Sequence, residues 1–377
     1  MRKFKKTAGS SLVAFAALTL GALAFLFAVA GCTLPNTQGQ GSKANVFAVD
    51  SKNGNVYEID EEGLTAATLP LLTIGQNAAG ELVFNGNTGF LAVGSFGNTA
   101  PGLYYFDVTS ETPVVKLLGD KISAQYICIL NATHGYVSSA DYYGAYTSAV
   151  YPFNPSAPLQ GLGEPVSGFD ANVFPQDIVV ADGRVYVTDN KNGVVCRLNS
   201  SGNAVEARIH TNKGGTTGLL AGSYDYDSDG DNDVGVFVAN TGGYDSNWNP
   251  LPGSIDFLPA IASTDDAVTT VVSDVSVARL AAFGPTKLVA TGYAHTYSIE
   301  LSSLQPRATG AFNAATEREV FYGDKSFGAF DVDTHNGYAY VPDGQNTVYR
   351  FSSTGDGVKA ISVGTTGEFI TNTGIRE

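Results

Sequence analysis

Seven short runs of strand-forming residues recur at a spacing of 44 to 53 residues: NVFAVD (45–50), GFLAVG (89–94), GYVSSA (135–140), RVYVTD (184–189), VGVFVA (234–239), KLVATG (287–292) and GYAYVP (337–342). Each is followed by a loop and a second run: GNVYEID (54–60), GLYYFDV (102–108), SAVYPFN (148–154), GVVCRLN (193–199), GSIDFLP (253–259), HTYSIEL (295–301) and NTVYRFS (346–352). β-Branched and aromatic residues dominate these runs, and apolar and polar positions alternate in most of them. The turn sequences KNG, ADG, SSG and STG separate them. A unit repeating at this period cannot bury its apolar face alone and must stack on its neighbours.

Seven such units predict an all-β chain, a seven-bladed β-propeller of four-stranded antiparallel blades. Two units, ADGRVYVTDNKNGVVCRLNSSG (181–202) and HNGYAYVPDGQNTVYRFSSTG (335–355), resemble the YVTN type of propeller repeat. That resemblance implies the fold and little about activity. The first unit starts directly at its second strand. The tail GEFITNTG (367–374) resembles GELVFNGNTG (80–89), the innermost strand of the second blade. The C-terminal strand is therefore expected to fill the first blade and close the ring, which removes two open sheet edges.

The chain opens with Arg2, Lys3, Lys5 and Lys6, then an uncharged and largely apolar run from Ser11 to Gly31. This reads as an export signal over residues 1–31, although the run also has the roughly 20 residues that a membrane span needs. VAGC (29–32) resembles the bacterial lipoprotein box, which implies cleavage before Cys32 and acylation of its sulfur. Residues 32–43 read as a flexible tether and 44–377 as the propeller. Thr33 stands where some lipoproteins carry an inner-membrane retention aspartate. The resemblance thus implies an extracytoplasmic, lipid-anchored protein at the outer membrane or cell surface, touching the membrane through the anchor only. Removing the four leading bases takes the formal charge from −15 to about −19, a surface that repels nucleic acid and suits cations, neutral glycans or an envelope-protein partner. A monomer is expected.

Cys128 and Cys196 fall inside strand-like runs and read as buried free thiols; no CxxC motif accompanies them. The most conspicuous cluster is DYDSDGDNDVG (225–235), with Asp225, Asp227, Asp229, Asp231 and Asp233 at alternate positions. It resembles the calcium loop of FG-GAP and integrin-type propeller repeats. That resemblance implies Ca²⁺ held by the side chains of Asp225, Asp227, Asp229 and Asp233, with Asp231 at the position of a backbone carbonyl ligand. Hard oxygen donors wrapped around one ion are what Ca²⁺ requires. An EF-hand fits less well, because its twelfth position would be Val236 and the following residues are strand-like. The role expected of this site is stability.

Three of the loops joining second to third strands are long and aromatic: 95–102, 140–148 and 240–253. They carry Phe96, Tyr142, Tyr143, Tyr146, Tyr244 and Trp248. Rings presented on a rigid frame can stack on sugars or grip a protein, so these six are the candidate ligand-binding residues. Packing against a neighbouring blade is the competing reading. No catalytic residue is assigned. His134 and His335 read as equivalent turn positions, and no nucleophile signature is present. The sequence favours a binding or scaffold module over an enzyme. The alternative, a hydrolase or lyase acting on a sugar or lactone in the axial channel, would gather acids and a base from several blades.

Overall fold

The second strand of each blade is almost wholly buried, because a neighbouring blade covers each of its faces. Thr88–Val93 and Arg184–Asp189 bury five of their six residues, whereas the outer strand Val205–His210 alternates buried and exposed positions. The computed structural model describes residues 45–376 except 111–112, 228, 248, 250, 261, 285–286, 293–295, 302–311, 314–318, 321–330 and 354–356. Cys32, the segments 1–31 and 32–43, Trp248 and His295 lie outside the described residues.

The strands form seven sheets arranged as a seven-bladed β-propeller. The innermost strands are Ile370–Arg376 in blade 1, Ala79–Asn85 in blade 2 and Ala124–Asn131 in blade 3. Pro175–Ala181, Thr216–Tyr224, Arg279–Phe283 and Asp333–His335 follow in blades 4 to 7. Seven apolar clusters fill the junctions between consecutive blades. Between blades 5 and 6, for example, Phe237 and Phe257 pack with ring centroids 5.1 Å apart, beside Leu288 and Ile299. Hydrophobic stabilisation is thereby spread around the ring, and each second and third strand serves two junctions.

Blade 3 completes its outer position irregularly. Beyond Ala149–Phe153 the chain makes one bridge, Phe153 with Leu162, and Gly163 N and Val166 N donate to the carbonyls of Pro152 and Val150. Pro152 has no N–H, so a regular ladder cannot form across it. In blade 5, Phe312–Asn313 adds a short parallel pairing outside Thr269–Ser273.

The C-terminal strand closes the ring. Ile370–Arg376 pairs antiparallel with Asn45–Asp50, in register from Asn45 opposite Arg376, with a bulge at Val49/Asp50. The junction is built like an ordinary blade. In blade 4, Asp189 ends the second strand and accepts the N–H of Phe174, just before the inner strand. In blade 1, Asp50 ends the second strand and accepts the N–H of Phe369 in the same way. The tail is thus an inner strand in full, delivered by the other end of the chain.

Two faces follow from this wiring. One carries the hairpin turns between inner and second strands, including the acidic turn of blade 5. The other carries the loops between second and third strands, including the aromatic ones.

Candidate functional site

The acidic turn joins Thr216–Tyr224 to Asp233–Asn240. Gly230 takes a positive φ of 98°, which lets the chain reverse. Asp225, Asp227 and Asp229 each offer a carboxylate oxygen within 4.8 Å of the others, a spread that oxygens bound to one Ca²⁺ can have. Asp225 is buried, and its Oδ1 has no hydrogen-bond partner. Asp231 is exposed and donates its N–H to Asp229 Oδ1 at 2.9 Å. Burial and then the four other aspartates raise the pKa of Asp233. Three of the five sequence-predicted ligands therefore converge, and one of them keeps a buried oxygen unpaired.

On the opposite face, the loops of blades 2 and 3 meet. Phe96 and Tyr143 stack with centroids 6.3 Å apart, and Tyr142 packs edge-on against Tyr143 at 5.6 Å. All three rings are open to solvent, at 65%, 71% and 83% exposure for Phe96, Tyr143 and Tyr142. Asp141 fixes the arrangement. Its carboxylate accepts the N–H of Tyr143 at 3.1 Å, the N–H of Tyr146 at 2.9 Å and the hydroxyl of Ser95 in blade 2 at 3.0 Å. Burial alone would raise the Asp141 pKa, but these donors outweigh it and hold the group below the usual carboxylate range. Tyr146 is half-buried. Tyr244 projects from the blade 5 loop, which Asp245 ties through bonds to Asn247 and Asn249.

The third feature lies on the axis. A cavity of about 480 Å³ is lined by Glu81 of blade 2, Asp177 of blade 4, Arg279 of blade 6, and Asp331, Asp333 and His335 of blade 7. Glu81, Asp177, Arg279 and Asp331 share a local setting. Each stands directly before an apolar residue that also lines the cavity: Leu82, Ile178, Leu280 and Val332. Tyr126 holds this place in blade 3, and its ring lies 3.8 Å beneath the Arg279 guanidinium.

The acids bind blade to blade. Glu81 Oε2 accepts the N–H of Ile127, Asp177 Oδ2 accepts that of Leu219 at 2.8 Å, and Asp331 Oδ2 accepts that of Thr373 at 3.4 Å. Each carboxylate thus reaches a backbone donor on the inner strand of the next blade. Arg279 Nη1 pairs with Asp177 Oδ2 at 3.2 Å, and Asp333 Oδ2 accepts the Thr373 hydroxyl at 2.8 Å. Four carboxylates facing one guanidinium carry a penalty. Burial, reinforced by the charges of Asp177 and Asp331, pushes Glu81 well above the carboxylate range. Burial raises Asp177 and Asp333 to about 7, and raises Asp331 as well.

Sequence reasoning had no assignment for Glu81, Asp177, Arg279, Asp331 or Asp333. The available signal was a charged residue ahead of an apolar one at the inner strands of blades 2, 4, 6 and 7. The two histidines also separate. His134 opens a second strand and is exposed, whereas His335 ends an inner strand with 10% of its side chain exposed. They are not equivalent positions, because blade 7 turns after its histidine, within Asn336–Gly337, and blade 3 turns before its own, within Ala132–Thr133. Cys128 and Cys196 are buried and stand outside any disulfide, and burial pushes the Cys196 thiol up to about 12.

No protein-family profile and no curated protein sequence matches this chain. Solved structures do. A functionally unknown protein from Desulfotomaculum acetoxidans superposes with a TM-score of 0.57 at 12% identity, over 88% of this chain and 98% of that one. Apo AztD from Citrobacter koseri gives 0.48 at 11% identity, over 88% and 97%. A chain from a nidogen/laminin complex gives 0.46 at 11% identity, over 89% and 99%. The first of these likenesses carries the fold alone.

Proposed function

We propose that this propeller is a binding module whose ligand is a neutral glycan, docked on the aromatic loops of blades 2 and 3. The observation that carries this reading is the exposed Phe96–Tyr143 stack, held in place by Asp141. Sugar rings present C–H faces that pack on aromatic rings, while their hydroxyls bond to neighbouring polar groups. Loops already fixed by hydrogen bonds lose little entropy on binding. In this proposal Ca²⁺ sits between Asp225, Asp227 and Asp229 and stabilises blade 5 on the other face. Acylation of Cys32 would hold the module at the outer membrane or cell surface. A glycan array probed with the wild type and with Tyr143→Ala tests the reading. Selective glycan binding that the substitution removes is expected; an array without signal, or signal unchanged in the variant, sinks it.

A second reading has its own support. Acids and a base from several blades do converge on the axis, as a hydrolase or lyase acting in the channel requires. Its substrate would have to tolerate a strongly acidic wall.

A further inference from the structure

The axial cavity makes a specific demand on any molecule that enters it. Among the described residues lining it, Arg279 is the one cation. Its guanidinium is committed, with Nη1 on Asp177 and its face on Tyr126. Glu81, Asp331 and Asp333 are left facing no other positive charge of the lining. His335 stands beside two of them. Asp331, Asp333 and His335 alternate along DVDTH and so share one side of the strand. His335 is nine-tenths buried, its Nε2 has no hydrogen-bond partner, and the nearest carboxylate, Glu61 Oε2, is 3.8 Å away. The charge left unbalanced in the lining is therefore negative, and the complementary ligand is a cation with several donors.

Two observations choose among cations. First, Asp225, Asp227 and Asp229 form the one group of three or more metal-type ligands that converge within 4.8 Å among the described residues. The axial acids therefore stand too far apart to wrap a single bare ion. Second, the volume of about 480 Å³ suits a small organic molecule. Apolar side chains, among them Val179, Leu220 and Phe283, line the same space. An aliphatic stem packs against such walls while a charged head meets the carboxylates.

We propose that the axial cavity binds a small organic ammonium ion, an alkyl amine or diamine, whose charged nitrogen pairs with a carboxylate among Glu81, Asp331 and Asp333, a second nitrogen, where present, pairing with another. The exposed turn residues Gly284, Asn336 and Gly337 also line the cavity and place its entry on the face of the acidic hairpin. The site is independent of the aromatic platform, and it stands whether or not a reaction follows binding.

The test is calorimetric titration of the full chain with putrescine and with propylamine, in an amine-free phosphate buffer at pH 8. Zinc chloride, sodium acetate and glucose are titrated in parallel, with the zinc arm run in an amine-free, non-coordinating sulfonate buffer. Saturable binding of at least one amine is expected, weakened about tenfold or more in Asp333→Asn and in Glu81→Gln. Tyr143→Ala, on the other face, should leave amine binding unchanged. Thermal melting of each variant separates lost binding from lost folding. Absence of amine binding, or amine binding indifferent to both substitutions in folded protein, overturns the proposal. So does saturable binding of zinc or glucose that those substitutions abolish while the amines give none.

Discussion

The carboxylate of Asp50 accepts the backbone N–H of Phe369 at 2.9 Å, across 319 positions of sequence. Asp50 is fully buried, and it also accepts the N–H of Lys52 and the side-chain amides of Asn53 and Asn55. One side chain thus shapes the turn after the second strand of blade 1 and seats the strand that closes the ring.

Replacing Asp50 with alanine leaves the N–H groups of Phe369 and Lys52 and two side-chain amides without their acceptor. The expected cost is about 2–4 kcal/mol, since each buried donor left unpaired costs about 1–3 kcal/mol. Deleting residues 366–377 should do more, exposing both edges of blade 1 and giving aggregation instead of a lower melting point. Thermal melting with light scattering checks both. A truncated chain that melts like the full one would contradict the closure.

The calcium proposal predicts a metal-dependent melting temperature. Free Ca²⁺ at a hundred times its dissociation constant stabilises a folded protein by about 2.7 kcal/mol. EGTA should therefore lower the wild-type midpoint and leave Asp227→Ala unmoved. Identical melting of the wild type with and without chelator counts against the site.

The axial acids predict an unusual pH dependence. Asp177 and Asp333 titrate at about 7 in the folded protein and near 3.9 in an unfolded chain. Between those values the folded state keeps protons that the unfolded state has shed. Stability therefore falls as pH rises through this window, and the full penalty is present above pH 7. Asp333→Asn keeps an acceptor for Thr373 and removes one charge. It should raise stability at pH 8 by about 1–2 kcal/mol and make little difference near pH 4. Denaturant titrations at the two pH values decide the matter. The charged neighbours involved are Glu81, Asp177, Arg279 and Asp331, with His335 beside them.

For the aromatic platform, binding and stability should come apart. Tyr143→Ala removes an exposed ring and should change stability by no more than about 0.5 kcal/mol. Glycan affinity should fall about tenfold or more, the loss of roughly one stacking contact. Equal losses of melting temperature and binding would assign the ring to packing.

The ring was readable because its signal is periodic. The run RVYVTD and its six counterparts mark second strands, and the kinship of GEFITNTG with GELVFNGNTG points to the closing strand. Phe96, Tyr142 and Tyr143 were visible as exposed rings, since no periodic pattern buries a loop of that length. Their mutual stacking depends on how blades 2 and 3 abut, which no local pattern states. The axial group was hidden for a stronger reason. Glu81, Asp177, Arg279 and Asp331 lie 52 to 102 positions from one another in chain order, and only closure of the ring makes them neighbours. Each alone looks like a stray charge at a strand end.

The closing strand has a consequence for how the chain is made. Among the described strands, Asn45–Asp50 leaves the ribosome first and Ile370–Arg376 last. At roughly 5–20 residues per second, about 15–65 s separate the two. For that interval blade 1 has no inner strand, and blades 2 to 6 are complete while the circle is still open. The circle therefore cannot close before that strand has been made. Newly made protein stays unlatched until residues 370–376 arrive.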